Sequence, residues 1–258
     1  MTPGPPGQDK SGRLETVKNT KKVRIMIRLI LVAVTLVGFL TLGYPLLAAQ
    51  NSLGKKDPHA RDVESLKIVQ YMFSLILKLA GITVTVKGAE NIPRDRAVLF
   101  VGNHRSYFDI LVGYTTVPGF VGFVAKKEME KIPLLSTWMR FVYCLFLDRE
   151  NPKEGLKTIL QAIDYVKQGI SICIFPEGTR NKGEELSMLP FKEGAFKIAA
   201  KTGCAIVPIS MNNTAAIFEN QFPRIKKVNV IVEYGKPIYP KDMAPEDKKH
   251  IGAYVQNN

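Results

Sequence analysis

The segment Gly102-Asn103-His104-Arg105-Ser106-Tyr107-Phe108-Asp109 sets an imidazole and a carboxylate five positions apart, between an apolar run and a stretch of helical periodicity. A neutral imidazole can take a proton from an alcohol near physiological pH, and a carboxylate on its second nitrogen fixes the tautomer and stabilises the imidazolium that forms. His104 and Asp109 are thus the candidate general base and its orienting partner. The same residues allow a plainer reading. Ser106 and Asp109 have capping-box spacing, so Asp109 can satisfy backbone donors at a helix start and leave His104 as a loop residue. Ser106, two residues from His104, is poorly placed to be its nucleophile.

Phe175-Pro176-Glu177-Gly178-Thr179-Arg180 follows an apolar run and reads as a rigid turn presenting polar side chains at a strand end. Gly178 and Gly183 have P-loop glycine spacing, but Glu184 stands where that motif needs lysine, so nucleotide hydrolysis is not supported. Leu147-Asp148-Arg149 follows another apolar run, and Lys126 and Lys127 follow a third. Arginine grips phosphate through paired donors whereas lysine acts as a point charge, which favours Arg149 and Arg180 over Lys126 for fixed anion recognition. Each of these turns also reads as a plain solvated surface.

Seven short β-branched runs would position these residues: 82–87, 97–101, 120–125, 142–147, 170–175, 205–210 and 228–233. Helical periodicity separates them, best over 110–117, 134–141, 152–168 and 194–202, with Pro152 in a first turn and Gly169 and Gly203 as stops. Strands alternating with helices imply an α/β domain with a mixed, mainly parallel sheet flanked by helices, whose sites lie beyond the carboxyl ends of strands. A chain of 258 residues, 46% hydrophobic, accommodates one such domain plus an attachment segment. Its 36 Lys and Arg against 23 Asp and Glu give a net charge of +13, which favours anionic partners without choosing among lipid, phosphorylated substrate, acidic carrier protein or nucleic acid. Cys144, Cys173 and Cys204 lie in apolar stretches without CxxC spacing, and His59, His104 and His250 are scattered, so neither a disulfide framework nor a metal site is expected.

The amino-terminal third reads differently. Residues 1–12 are rich in Pro and Gly, and a disordered basic tail is expected over residues 1–23. Lys18, Lys21, Lys22, Arg24 and Arg28 precede an uncharged apolar run, Leu29 to Ala49, whose 21 residues would reach roughly 30 Å as one helix, about a hydrocarbon core. A cleaved signal peptide fits less well, because the run exceeds the usual apolar region of such peptides and no clear cleavage pattern follows. Residues 66–80, LKIVQYMFSLILKLA, are too short to span easily. They read either as an interfacial helix, which would complete a two-helix membrane hairpin, or as an amphipathic helix packed on the domain core. Membrane-attachment helices are therefore expected over 24–80 and the catalytic domain over 81–258. A single span would place the domain outside the cell; a hairpin keeps it in the cytoplasm.

Taken together, these residues resemble the glycerolipid acyltransferases, most closely the 1-acyl-sn-glycerol-3-phosphate acyltransferase family, over roughly Lys87 to Lys236. His104 and Asp109 stand as that family's His-x4-Asp block, Phe146 to Arg149 looks like its second block, Phe175 to Arg180 its third, and Val207-Pro208-Ile209 its fourth. Phe191-Lys192-Glu193-Gly194 also looks like a family segment. The resemblance implies a glycerolphosphate acyltransferase-like fold and transfer of an acyl chain to the sn-2 hydroxyl of lysophosphatidic acid, giving phosphatidic acid in phospholipid biosynthesis. It implies no cofactor, with acyl-CoA or acyl-carrier protein as donor substrate, and an anionic phospholipid membrane rather than nucleic acid as the other partner. His104 and Asp109 would be catalytic. Arg149, Arg180 and more weakly Lys126 would meet the phosphate, while Glu177, Gly178 and Thr179 shape the glycerol site and position Arg180. The implied location is the cell membrane, with the catalytic domain facing the cytoplasm. Glycerol 3-phosphate or another lysophospholipid is the alternative acceptor. A non-enzymatic basic protein binding membrane or nucleic acid would explain the charge but leave the four blocks without a purpose.

Overall fold

The structure is a computed structural model that describes residues 10–258. Its centre is a seven-stranded sheet of β1 (Thr83–Lys87), β2 (Leu99–Gly102), β3 (Val121–Lys126), β4 (Leu145–Leu147), β5 (Ser171–Ile174), β6 (Ile206–Asn212) and β7 (Asn229–Tyr234), in the order β1-β7-β6-β2-β5-β3-β4. β4, β3, β5, β2 and β6 run parallel; β7 pairs antiparallel with β6, and β1 parallel with β7. The mixed, mainly parallel sheet expected from the alternation is present. Burial alternates with the two-residue period of a strand. Val98, Phe100 and Cys173 enter one apolar cluster, while Leu99, Val101, Ile172 and Ile174 enter the other. Both faces are covered, which is why these strands read as continuous apolar runs.

α3 (Pro58–Ala80), α4 (Phe108–Thr116) and α5 (Pro133–Phe141) cover the first face; α6 (Pro152–Lys167) and α7 (Lys197–Thr202) cover the second, with α8 (Pro245–Lys249) and α9 (Ile251–Gln256) closing the chain. The starts of α3 and α6 are set by local chemistry. Asp57 accepts the N–H of Ala60, Asn151 accepts those of Lys153 and Glu154, and each helix carries Pro in its first turn. Val142 and Cys144, expected in a strand, instead form the turn entering β4, where Tyr143 adopts φ +60°.

The amino-terminal expectations change in three respects. Residues 1–9 lie outside the described residues, but α1 begins at Lys10 and runs to Leu42, so the disordered tail expected to residue 23 is helical from Lys10 onward. The apolar run 29–49 is not one helix. α1 stops at Leu42 and α2 (Tyr44–Lys56) departs at 49°, because Pro45 cannot donate to the preceding turn and Gly43 eases the bend. Among the described residues no single helix is long and apolar enough to cross a membrane, although the bent pair together meets that measure. Finally, α3 begins at Pro58, eight residues earlier than the apolar segment suggested, and buries Leu66, Val69, Ile76, Leu77 and Ala80 in the domain core. Of its two readings, the packed amphipathic helix is the one observed.

α1 docks through Leu29, Val32, Phe39 and Leu40, with the Phe39 ring tilted by 34° against Trp138 of α5, centroids 5.2 Å apart. Its other side leaves Ile27, Ile30, Leu31, Val34 and Val37 exposed, an apolar stripe at helical spacing.

Candidate active site

Five parallel strands deliver the candidate residues from their carboxyl ends: His104 after β2, Phe175 to Arg180 after β5, Lys126 from β3, Arg149 after β4, and Asn213 to Glu219 after β6. This is where an α/β sheet leaves a crevice.

His104 Nδ1 lies 2.8 Å from Asp109 Oδ2. The same oxygen accepts the backbone N–H groups of Arg105 and Ser106, each at 2.8 Å. Asp109 sits fully buried in the first turn of α4, where the helix terminus favours negative charge. One carboxylate therefore both satisfies backbone donors at the helix start and contacts the imidazole. Since an ionised carboxylate can only accept, Nδ1 must be the donor, and Nε2 is left as the ring atom able to take a proton. The Ser106 hydroxyl accepts from Phe108 N at 3.0 Å and donates to Glu219 at 2.7 Å, and it makes no contact with the imidazole.

The imidazole plane is fixed by Phe175, at the end of β5, which stacks on it at 4.4 Å and 11°. The backbone of His104 is held from both sides by the same turn. Its N–H donates to Glu177 Oε1 at 2.7 Å, and its carbonyl accepts Asn181 N at 2.7 Å. The other oxygen of Glu177 takes Leu189 N at 2.8 Å, so this buried carboxylate ties the histidine loop to the 181–189 segment. Arg105, also buried, grips that segment through the carbonyls of Gly183 at 2.6 Å and Glu184 at 2.8 Å. On the far side of His104, Asn103 exchanges two hydrogen bonds with Met211 of β6, at 2.8 and 2.9 Å.

The expected cations separate. Arg149 donates to the carbonyl of Gly178, which brings it to the turn carrying Arg180. Gly178 has φ +74°, a conformation that costs glycine little. Partial desolvation lowers the Arg149 pKa below its ordinary value, without discharging a guanidinium. Arg180 lies over the Tyr107 ring at 3.7 Å and donates to the Tyr107 hydroxyl at 3.0 Å and to Glu219 Oε1 at 3.2 Å. Lys126 is exposed and pairs with Glu128 at 2.7 Å, outside this hydrogen-bonded cluster. Asp148 of the second block takes Lys127 at 2.9 Å and the N–H groups of Glu150 and Asn151, so it shapes the turn into α6; the Lys127 bond holds its carboxyl below the usual range.

Glu177 was expected to help position Arg180, but its two oxygens are occupied by backbone donors, and Tyr107 with Glu219 holds the guanidinium instead. Thr179 is exposed. Sequence reasoning gave no role to Phe175, Arg105, Asn181 or Glu219. Phe175 and Asn181 flank a polar turn and carried a local signal; Glu219 carried none, because its partners lie 39 to 113 residues away. Cys173 is fully buried, and burial, with the nearby Asp109 charge second, pushes its thiol up, so it is an inert apolar neighbour. Among the described residues no three His, Cys, Asp or Glu side chains converge to hold a metal ion.

A buried carboxylate that contacts a histidine at the mouth of a parallel sheet is an arrangement suited to taking a proton from an alcohol. The acyltransferase family model matches residues 83–212, from β1 to the end of β6. The 1-acyl-sn-glycerol-3-phosphate acyltransferase of Saccharomyces cerevisiae is 32% identical over 186 residues, 71% of this chain and 60% of its own length. The 1-acyl-sn-glycerol-3-phosphate acyltransferase alpha of Homo sapiens is 32% identical over 201 residues, 77% of this chain and 70% of its own. The chain thus spans less than two thirds of the yeast relative. The crystal structure of the 1-acyl-sn-glycerophosphate (LPA) acyltransferase PlsC from Thermotoga maritima superposes with a TM-score of 0.75 at 24% identity, covering 92% of this chain and 94% of that one, and so shares its fold. The chain belongs to the acyltransferase family and, within it, to the 1-acyl-sn-glycerol-3-phosphate acyltransferase family.

Proposed function

We propose that the protein transfers an acyl chain from an acyl thioester to the sn-2 hydroxyl of 1-acyl-sn-glycerol 3-phosphate, yielding phosphatidic acid. The observation that carries this reading is the 2.8 Å contact from His104 Nδ1 to Asp109, which leaves Nε2 to receive the hydroxyl proton. As the proton moves to Nε2, the alcohol oxygen attacks the thioester carbonyl directly; the C–O bond forms, the C–S bond breaks, and the imidazolium returns its proton to the departing thiolate. The acyl chain never resides on the enzyme. Arg149 and Arg180 meet the acceptor phosphate as partners suited to paired donation. Coenzyme A and acyl carrier protein are both donor candidates, since the chemistry uses only their common thioester.

Attachment to the cytoplasmic leaflet through the bent α1–α2 pair belongs to the same proposal. The exposed apolar stripe of α1 and the net charge of +13 suit an anionic bilayer, where the acceptor is dissolved. The test is thiol release with lysophosphatidate and each donor, alongside glycerol 3-phosphate and other lysophospholipids as acceptors. His104→Ala should lose at least ~100-fold in rate. Near-normal phosphatidic acid formation by a folded His104→Ala protein would refute the general-base assignment.

A further inference from the structure

Glu219 follows β6 in the short turn Glu219–Gln221 and meets three partners from two other parts of the site. Its Oε2 accepts the Ser106 hydroxyl at 2.7 Å; its Oε1 accepts Tyr107 N at 2.8 Å and Arg180 Nη1 at 3.2 Å. Ser106 and Tyr107 lie between the general base and its carboxylate, while Arg180 closes the third block. One side chain therefore couples the loop of the base to the cation assigned to the acceptor phosphate. The carboxylate is itself mostly shielded, with 18% of its side chain exposed, and Arg180 has 29%.

We infer that Glu219 is a positioning residue for lysophosphatidate. It holds Arg180 against Tyr107 in a binding-ready pose, so that acceptor affinity depends on Glu219 through Arg180. This inference rests on the reading of Arg180 as a phosphate ligand. Two opposing effects bear on its sign. A carboxylate beside the guanidinium partly offsets the charge that attracts phosphate, which would weaken binding. Against this, a free arginine side chain samples many rotamers, and one already stacked and hydrogen-bonded loses little freedom on binding. Glu219 and the Tyr107 hydroxyl occupy one donor on each terminal nitrogen, so three of the five guanidinium donors stay available to a phosphate, which can carry more charge than the carboxylate. Preorganisation should therefore outweigh the lost charge.

The competing explanation is a structural staple for the 106–107 turn. A staple would place its penalty on kcat, through the base, and would act equally well without Arg180. Positioning places it on KM and needs Arg180.

The experiment is a double-mutant cycle measured with lysophosphatidate as acceptor and a fixed thioester donor. Glu219→Ala should raise the acceptor KM by about five- to tenfold with kcat within about twofold of wild type, a coupling typical of side chains in direct contact. Glu219→Gln, which keeps a carbonyl for Tyr107 N and Arg180, should restore most of the affinity. In an Arg180→Ala background, Glu219→Ala should add no further rise. If Glu219→Ala does not fold, Glu219→Asp keeps the charge, shortens the reach and should show the same KM rise. A raised KM for Arg180→Ala with an unchanged KM for the Glu219 variants overturns the inference alone. So does an equal Glu219→Ala effect with and without Arg180, or a loss confined to kcat. An unchanged KM for Arg180→Ala overturns the phosphate reading of Arg180 and this inference with it.

Discussion

Asp109 Oδ2 is shared between His104 Nδ1 and the backbone N–H groups of Arg105 and Ser106, all at 2.8 Å, while Oδ1 is buried without a partner. In Asp109→Asn the amide oxygen can keep the Oδ2 contacts, which forces the amide N–H groups into the empty Oδ1 position. Burying that donor pair unsatisfied costs about 1–3 kcal/mol. The negative charge that steadies the imidazolium also disappears; in a Ser-His-Asp triad the same change costs ~10⁴ in kcat. The variant should melt lower yet fold, with kcat reduced about 10²- to 10⁴-fold. Retention of kcat within threefold would show that the carboxylate serves only as a helix cap.

Glu177 holds the backbone of His104, the proposed base, from behind. Its two oxygens take the N–H groups of His104 and Leu189, and an amide offers only one acceptor. Glu177→Gln must leave one of those donors facing an N–H group, at a cost of about 1–3 kcal/mol in stability. Because one of the two is the backbone of His104, kcat should fall together with the melting temperature. A variant with wild-type kcat and a lowered melting temperature would reduce Glu177 to a structural staple.

Much of this site was legible in the sequence, and its limits have a physical reason. His104 and the Phe175 to Arg180 turn sit at strand ends, with Asp109 in the first turn of the helix that follows His104, and the change from apolar run to polar turn marks them locally. All seven strands fell within a few residues of the β-branched runs, and the central ones, β2 and β5, are buried on both faces, which makes their runs continuous. The antiparallel insertion of β7 between β1 and β6 was hidden, because a strand's pattern records which faces are buried and not which neighbour supplies the hydrogen bonds. Glu219 was hidden for the same reason, its partners being chosen by sheet order. The bend after Leu42 was visible in Gly43 and Pro45, but hydropathy, which counts apolar residues without regard to backbone donors, reads straight through it.

β3 and the turn into β4 approach so closely that a Cβ on Gly122 would stand 2.1 Å from the carbonyl oxygen of Tyr143. That atom belongs to the backbone, which itself holds a positive φ at Tyr143, so it cannot swing aside. Gly122→Ala should therefore cost at least the 1–3 kcal/mol of core overpacking, or roughly 2–4 °C in melting temperature per kcal/mol for a domain of this size. The strain falls between the strands that lead to Lys126 and Arg149, so the acceptor KM should rise as well. An unshifted melting curve would mean that β4 is free to move away from β3.

Substitutions on the exposed face of α1 test the proposed membrane attachment apart from catalysis. Val34 and Val37 are 65% and 58% exposed and lie on the stripe facing away from Trp138, whereas Leu40 is packed against the core. Lysines in place of Val34 and Val37 touch no core contact, so the melting temperature should hold. An interfacial helix, however, binds through buried apolar area, at about 25 cal/mol per Å², so two charges inserted in the stripe should markedly weaken flotation with anionic vesicles. Activity toward a short-chain acceptor dissolved as monomer should stay near wild type, while activity toward vesicle-borne lysophosphatidate falls. Raising the salt should weaken the remaining attachment further, because what is left is attraction between basic residues and anionic headgroups, about 1 kcal/mol for each Lys or Arg near the surface. Flotation of the double variant at wild-type levels would mean that this face of α1 does not meet the bilayer.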